Sequence, residues 1–205
     1  MAARRLDAVM RPGDAAANVV PRRSCGACSL CCTVLRVDAL KKRGGIPCAH
    51  LQDAGGGCSI YPERPRICRT YRCLWLQGGL EEVDRPDRIG AVLDLLTSGG
   101  TTRLAVREAT PGASETDERL RGIIARYRES LPVRISDVRD VMDPDAPFRL
   151  LLPGGEEHRV EGELRTVWRG GECIERRRLR WLERVVRRVL HALAARRLRG
   201  YGDGA

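Results

Sequence analysis

Eight of the nine cysteines in this 205-residue chain fall between Cys25 and Cys73. Their spacing is Cys25-x2-Cys28-x2-Cys31-Cys32-x15-Cys48-x9-Cys58-x9-Cys68-x4-Cys73. Thiolates are soft ligands suited to zinc or iron–sulfur clusters, whereas hard cations ask for clustered carboxylates. Two residues between cysteines let one short turn aim both sulfurs at a common centre. Eight ligands divide into four plus four, so two tetrahedral zinc ions or two cubane-type clusters are the simple counts, and one cluster plus spare thiols is a third. Cys31 and Cys32 are adjacent, and adjacent side chains diverge by about 100° on a helix. They are therefore expected to serve different centres, unless one of them is no ligand. Were residues 24–36 helical, Cys25, Cys28 and Cys32 would share a face and Cys31 would lie to one side.

The triple Cys25-x2-Cys28-x2-Cys31 resembles the ligand run of ferredoxin-type clusters, and no second C-x2-C knuckle of the paired zinc kind follows. That tilts the choice slightly toward iron–sulfur over zinc. Arg64, Arg66, Arg69 and Arg72 interleave with Cys68 and Cys73. They could offset thiolate charge or hydrogen-bond to sulfur, or form a solvated basic face. His50 is better placed beside a site than as a ligand. Cys173, a hundred residues on, reads as a free packing thiol.

The strings Cys25-Gly-Ala-Cys28-Ser-Leu-Cys31-Cys32, Pro47-Cys48-x-His50-Leu51 and Gly57-Cys58-Ser-Ile-Tyr61-x-x-Arg64-Pro65-x-x-Cys68-Arg69-x-Tyr71-x-Cys73 resemble the CxxCxxCC cysteine-cluster family, the YkgJ-type zinc- or iron-chelating domain. The resemblance covers about residues 24–80. It implies metal chelation through Cys25, Cys28, Cys31, Cys32, Cys48, Cys58, Cys68 and Cys73. The same domain is similar to part of flagellin lysine methylases, so the resemblance also admits a protein-modifying role.

These ligands need a scaffold. Hydrophobic residues make up 42% of the chain and charged residues 31%, which suits a folded core and excludes collagen-like, coiled-coil or wholly disordered chains. Only 4% is aromatic, so Leu, Val, Ile and Ala must fill that core. Residues 1–23 read as a leader and 24–80 as a loop-rich cysteine module that a metal would help to fold. Residues 81–171 read as a small α+β body. Ile89–Leu96 and Thr101–Ala109 read as strands around Ser98-Gly99-Gly100. Ser114 or Thr116 is expected to cap a helix through about Ser130, with Leu120, Ile123, Ile124 and Tyr127 on its buried stripe. Short strands are expected at Val133–Ile135, Phe148–Leu152, His158–Val160 and Glu163–Trp168. Residues 172–199 read as a basic amphipathic helix with Leu179, Leu182, Val186, Val189, Leu190 and Leu193 on one face. The fold class is thus α+β.

No signal-peptide-like or membrane-spanning apolar run occurs, so a cytoplasmic location is expected, where clustered thiols more often bind metal than pair. There is no G-x-G-x-x-G, P-loop, H-E-x-x-H or G-x-S-x-G, and no catalytic residue is named. Glu156-Glu157-His158 reads as a solvated turn. The ten arginines of residues 172–199 could track nucleic-acid phosphates or an anionic membrane, or simply pack a surface helix on the body. Three functions follow in order of weight. The first is a metal-binding protein holding iron–sulfur or zinc, redox-linked in the iron case and served by a protein partner. The second is a zinc-stabilised nucleic-acid-binding module. The third is a component of a protein-modifying enzyme.

Overall fold

A computed structural model describes residues 23–52, 57–138 and 146–199, so all but the last residue of the expected leader lies outside the described residues. The strand signals lead to one seven-stranded sheet in sequence order, β1 to β7. Strands β1 (Ala91–Ser98) and β2 (Thr101–Glu108) form a hairpin as expected. Its two turn residues, Gly99 and Gly100, both have left-handed backbone (φ 59° and 77°), as a tight hairpin turn requires. The first half of β1 is buried throughout, which explains why Ile89–Leu96 reads as a nearly unbroken apolar run.

Between β2 and the parallel strand β3 (Val133–Asp137) the chain crosses over through two helices, α4 (Ala113–Thr116) and α5 (Glu118–Arg128). The expected buried stripe is present, with Leu120, Ile123 and Ile124 buried. The cap differs from expectation. Asp117 holds an extended backbone that separates the two helices, and its carboxylate accepts the Leu120 N–H at 2.7 Å. Ser114 lies inside α4 instead, where its N–H donates to the buried Glu108 carboxylate at 2.6 Å.

The remaining strands run antiparallel: β4 (Phe148–Leu151), β5 (Glu156–Glu161), β6 (Leu164–Arg169) and β7 (Glu172–Arg178). Strand β7 corrects the expectation of a helix from residue 172. Gly170-Gly171 (φ 59° and 86°) turns the chain back on β6 with Arg169 opposite Glu172, and only at Trp181 does α6 (Trp181–Arg199) begin. Glu and Arg are good helix formers, but propensity yields to this pairing. Glu156, Glu157 and His158 likewise stand in β5 rather than in a turn. Arg149 and Arg159 both meet Glu157, and His158 and Arg169 both meet Glu156.

The cysteine segment shares the core of the sheet. Val34, Leu74, Trp75, Leu76 and Leu80 join Val92, Leu93, Leu104, Val106 and Val133 in one hydrophobic cluster. Short helices α1 (Leu30–Val34) and α3 (Pro86–Ile89) touch β1, and the Leu74 N–H donates to the Leu93 carbonyl at 2.8 Å along its outer edge. Arg23 donates to the carbonyls of Trp75 and Leu80, both at 2.8 Å.

Buried Asp94 in β1 links the two parts. It accepts from the Tyr71 hydroxyl at 2.8 Å and from Arg107 of β2 at 2.9 Å. Burial raises its pKa, opposed by those two partners. Arg107→Ala removes the cation and leaves a buried carboxylate. A loss of about 3 kcal/mol in unfolding free energy is expected by denaturant titration, within the range for breaking one side of a buried pair. A variant within 0.5 kcal/mol of the parent, the usual span for a surface change, would show that the pair does not hold the carboxylate.

Candidate metal centre

The cysteine segment is built from turns, with little helix. Cys28 N–H donates to the Cys25 carbonyl at 2.8 Å, closing a turn that puts both thiols on one side. Helix α1 starts only at Leu30, so the face shared by Cys25, Cys28 and Cys32 on a longer helix does not form. Cys31 and Cys32 occupy successive positions of this short helix, and the Cys31 thiol donates a hydrogen bond to the Cys32 sulfur.

Cys31 turns inward. With Cys25, Cys28 and Cys73 it lines a cavity of about 20 Å³, closed by Trp75, Leu76, Pro86 and Val92. Burial pushes the Cys25, Cys28 and Cys73 thiols up. Backbone donors oppose it: the N–H groups of Leu30 and Asp87 face Cys28, and those of Leu76 and Trp75 face Cys73. N–H groups aimed at sulfur favour the thiolate, the form that binds metal.

Cys32 turns toward the other group. Its pKa is lowered, first by the hydrogen bond it receives from Cys31, then by the charges of Lys42 and Arg64 against the cost of burial. Cys48 is tied to this helix, its N–H donating to the Cys32 carbonyl at 3.0 Å. Cys58 bridges to Leu51 across the loop, and Cys68 lies in α2 (Arg66–Thr70). Burial raises the Cys68 pKa, and so do the charges of Cys32, Cys48 and Cys58, so these four share one neighbourhood. Cys25, Cys28, Cys31 and Cys73 thus line one cavity, Cys32, Cys48, Cys58 and Cys68 lie within electrostatic reach of one another, and the Cys31–Cys32 hydrogen bond joins the two groups.

Neither set is drawn in tightly. Among the described residues, no group of three or more Cys, His, Asp or Glu side chains forms a ready metal site. All nine cysteines are free, and only Cys73 of the eight is fully buried. Cys173 lies exposed on β7, so it is free but does not pack. His50 is half-buried and pairs through its backbone carbonyl with the Ser59 N–H.

Of the interleaved arginines, Arg64 and Arg72 both act on the site, Arg72 lowering the Cys25 pKa and donating to the Leu76 carbonyl at 2.9 Å. Arg64 lies over the Tyr61 ring at 3.6 Å, donates to the Cys68 carbonyl at 3.2 Å, and lowers the pKa of both Cys25 and Cys32. Lys42 is the residue that sequence reading passed over. It is 6% exposed, and its ammonium donates to the carbonyls of Thr33, Leu35 and Arg43. Burial lowers its pKa, while Cys48, Cys32, Cys31 and Cys68 pull it up. The signal was available: Lys41 and Lys42 are the only lysines among 37 basic residues. Three converging carbonyls suit a compact ammonium better than a planar guanidinium.

Among the described residues, no helix is long and apolar enough to cross a membrane. No family model, curated protein or solved structure matches the chain.

Proposed function

We propose that the protein is a metal-chelating cysteine-cluster protein with two adjacent four-thiol centres, one held by Cys25, Cys28, Cys31 and Cys73, the other by Cys32, Cys48, Cys58 and Cys68. The observation that carries this reading is the cavity lined by four cysteines from two separate stretches of chain, with backbone N–H groups aimed at two of the sulfurs. A packing cluster would not supply such donors. The resemblance of these residues to the CxxCxxCC family points the same way.

The donor set fits either soft-metal choice. Four thiolates around the first centre suit a single tetrahedral ion such as zinc. Such an ion would supply structural cross-linking of loops that have little core of their own. The second reading, an iron–sulfur cluster, rests on the Cys25-x2-Cys28-x2-Cys31 run. It would supply redox chemistry instead.

Elemental analysis and an absorption spectrum of anaerobically purified, untagged protein test both. The expected result is about two zinc ions per chain and a colourless sample, the count set by four thiolates per tetrahedral ion. Iron with matching sulfide and a brown sample would replace zinc by clusters. A metal-free chain that melts at the same temperature with and without either metal would sink chelation itself.

A further inference from the structure

Helix α6 meets the body with the wrong face for an ordinary surface helix. Arg184 pairs with Glu163 at 2.7 Å, and Arg187 donates to the carbonyls of Gly162 and Ala146. Its cationic arc is therefore turned inward. The apolar stripe is turned outward: Trp181, Leu182, Val186, Val189, Leu190 and Leu193 are all at least half exposed, Trp181 at 64%. The expectation that this stripe packs on the body is thus reversed. A run of exposed large apolar side chains along one helix face marks an interaction surface.

Charge selects the occupant. The sequence of α6 holds six arginines against one glutamate, in a protein of net charge +10. A second copy would bring the same cations, and at heptad spacing from Leu182, Val186, Val189 and Leu193 the next seam position is Arg196. That seam is too short for a coiled coil, which takes three to four heptads. Residues 1–22 carry Arg4, Arg5, Arg11 and Arg22 and would be repelled as well. Nucleic acid would meet a hydrocarbon face. An anionic lipid surface suits what the helix leaves exposed: acyl chains take the stripe, and headgroups take Arg180 and Arg188. A tryptophan at the helix start suits the boundary between them.

We propose that the outward apolar stripe of α6 lies in the headgroup region of an anionic phospholipid membrane. This placement is independent of which metal the cysteines hold. The test is co-sedimentation of the full-length, metal-loaded protein with phosphatidylcholine vesicles, with and without phosphatidylglycerol. Binding is expected to be at least about tenfold stronger to the anionic vesicles, to weaken with salt, and to blue-shift tryptophan emission in the parent but not in Trp181→Phe. Val186→Glu with Leu190→Glu should lower binding by about tenfold or more while metal content and far-UV circular dichroism stay unchanged. Equal or absent binding to both vesicle types overturns the proposal without any variant. So does a dimer in light scattering that the double variant dissociates, or oligonucleotide binding that survives it.

Discussion

Serine at Cys31 empties one metal centre, and serine at Cys32 empties the other. This is the expected outcome of the proposed grouping, since only Cys31 of the adjacent pair lines the cavity with Cys25, Cys28 and Cys73. A hydroxyl is a poor ligand for a soft metal. Each single variant should therefore keep about half the parent's metal after desalting, one full tetrahedral set of four thiolates remaining. Cys73→Ser should behave as Cys31→Ser, and Cys68→Ser as Cys32→Ser. The double variant Cys31→Ser/Cys68→Ser should lose both centres, whereas Cys31→Ser/Cys73→Ser should keep one. If the Cys31 and Cys32 variants instead lose the same centre, the grouping is wrong even if chelation is right.

Chelating the metal from the native protein should unfold residues 25–73 and loosen the sheet with them. The cysteine segment contributes Val34, Leu74, Trp75, Leu76 and Leu80 to the shared core, so its collapse removes a wall of that core. Structural zinc contributes about 10–16 kcal/mol of apparent binding free energy in small zinc-folded peptides, as large as the whole stability of a typical domain. If half of the lower figure reaches the sheet, the melting temperature falls by at least about 10 °C for a chain of this length. Trp75 is 4% exposed and sits on the cavity wall, so its emission should shift to the red on chelation and return when metal is restored. An unchanged melting curve in a chain shown to be stripped would mean that the thiols contribute nothing to the fold.

The hairpin of β1 and β2 was readable because apolar runs flanked a glycine pair. The same signal, Gly170-Gly171, went unread before β7, because Glu-Cys-Ile-Glu-Arg-Arg-Arg has the composition of a helix. Pairing across the turn decided it. The α5 stripe was legible at 3.6-residue spacing, but its cap was not: Ser, Thr and Asp all stand near the start, and only backbone geometry picks Asp117. At the site, the eight clustered thiols could be read from spacing alone. The partners of each could not, since Cys73 reaches the first cavity only because Leu74 and Trp75 are buried beside β1. For Lys42 the rarity of lysine was the only signal, since the carbonyls of Thr33, Leu35 and Arg43 that hold it converge only in the folded turn.

The two edges of the sheet are protected in different ways. An open edge strand offers unpaired backbone groups to any other extended chain, and is a starting point for aggregation. The β1 edge is occupied by the cysteine segment, through the Leu74 to Leu93 bond. Among the described residues no strand pairs with the β7 edge, and Glu172, Glu175, Arg176 and Arg178 stand exposed along it. Docking a second strand there would strip water from those charges, while the pairing to β6 is undisturbed. The composition that makes β7 look helical is what lets an exposed strand remain soluble at the end of a sheet.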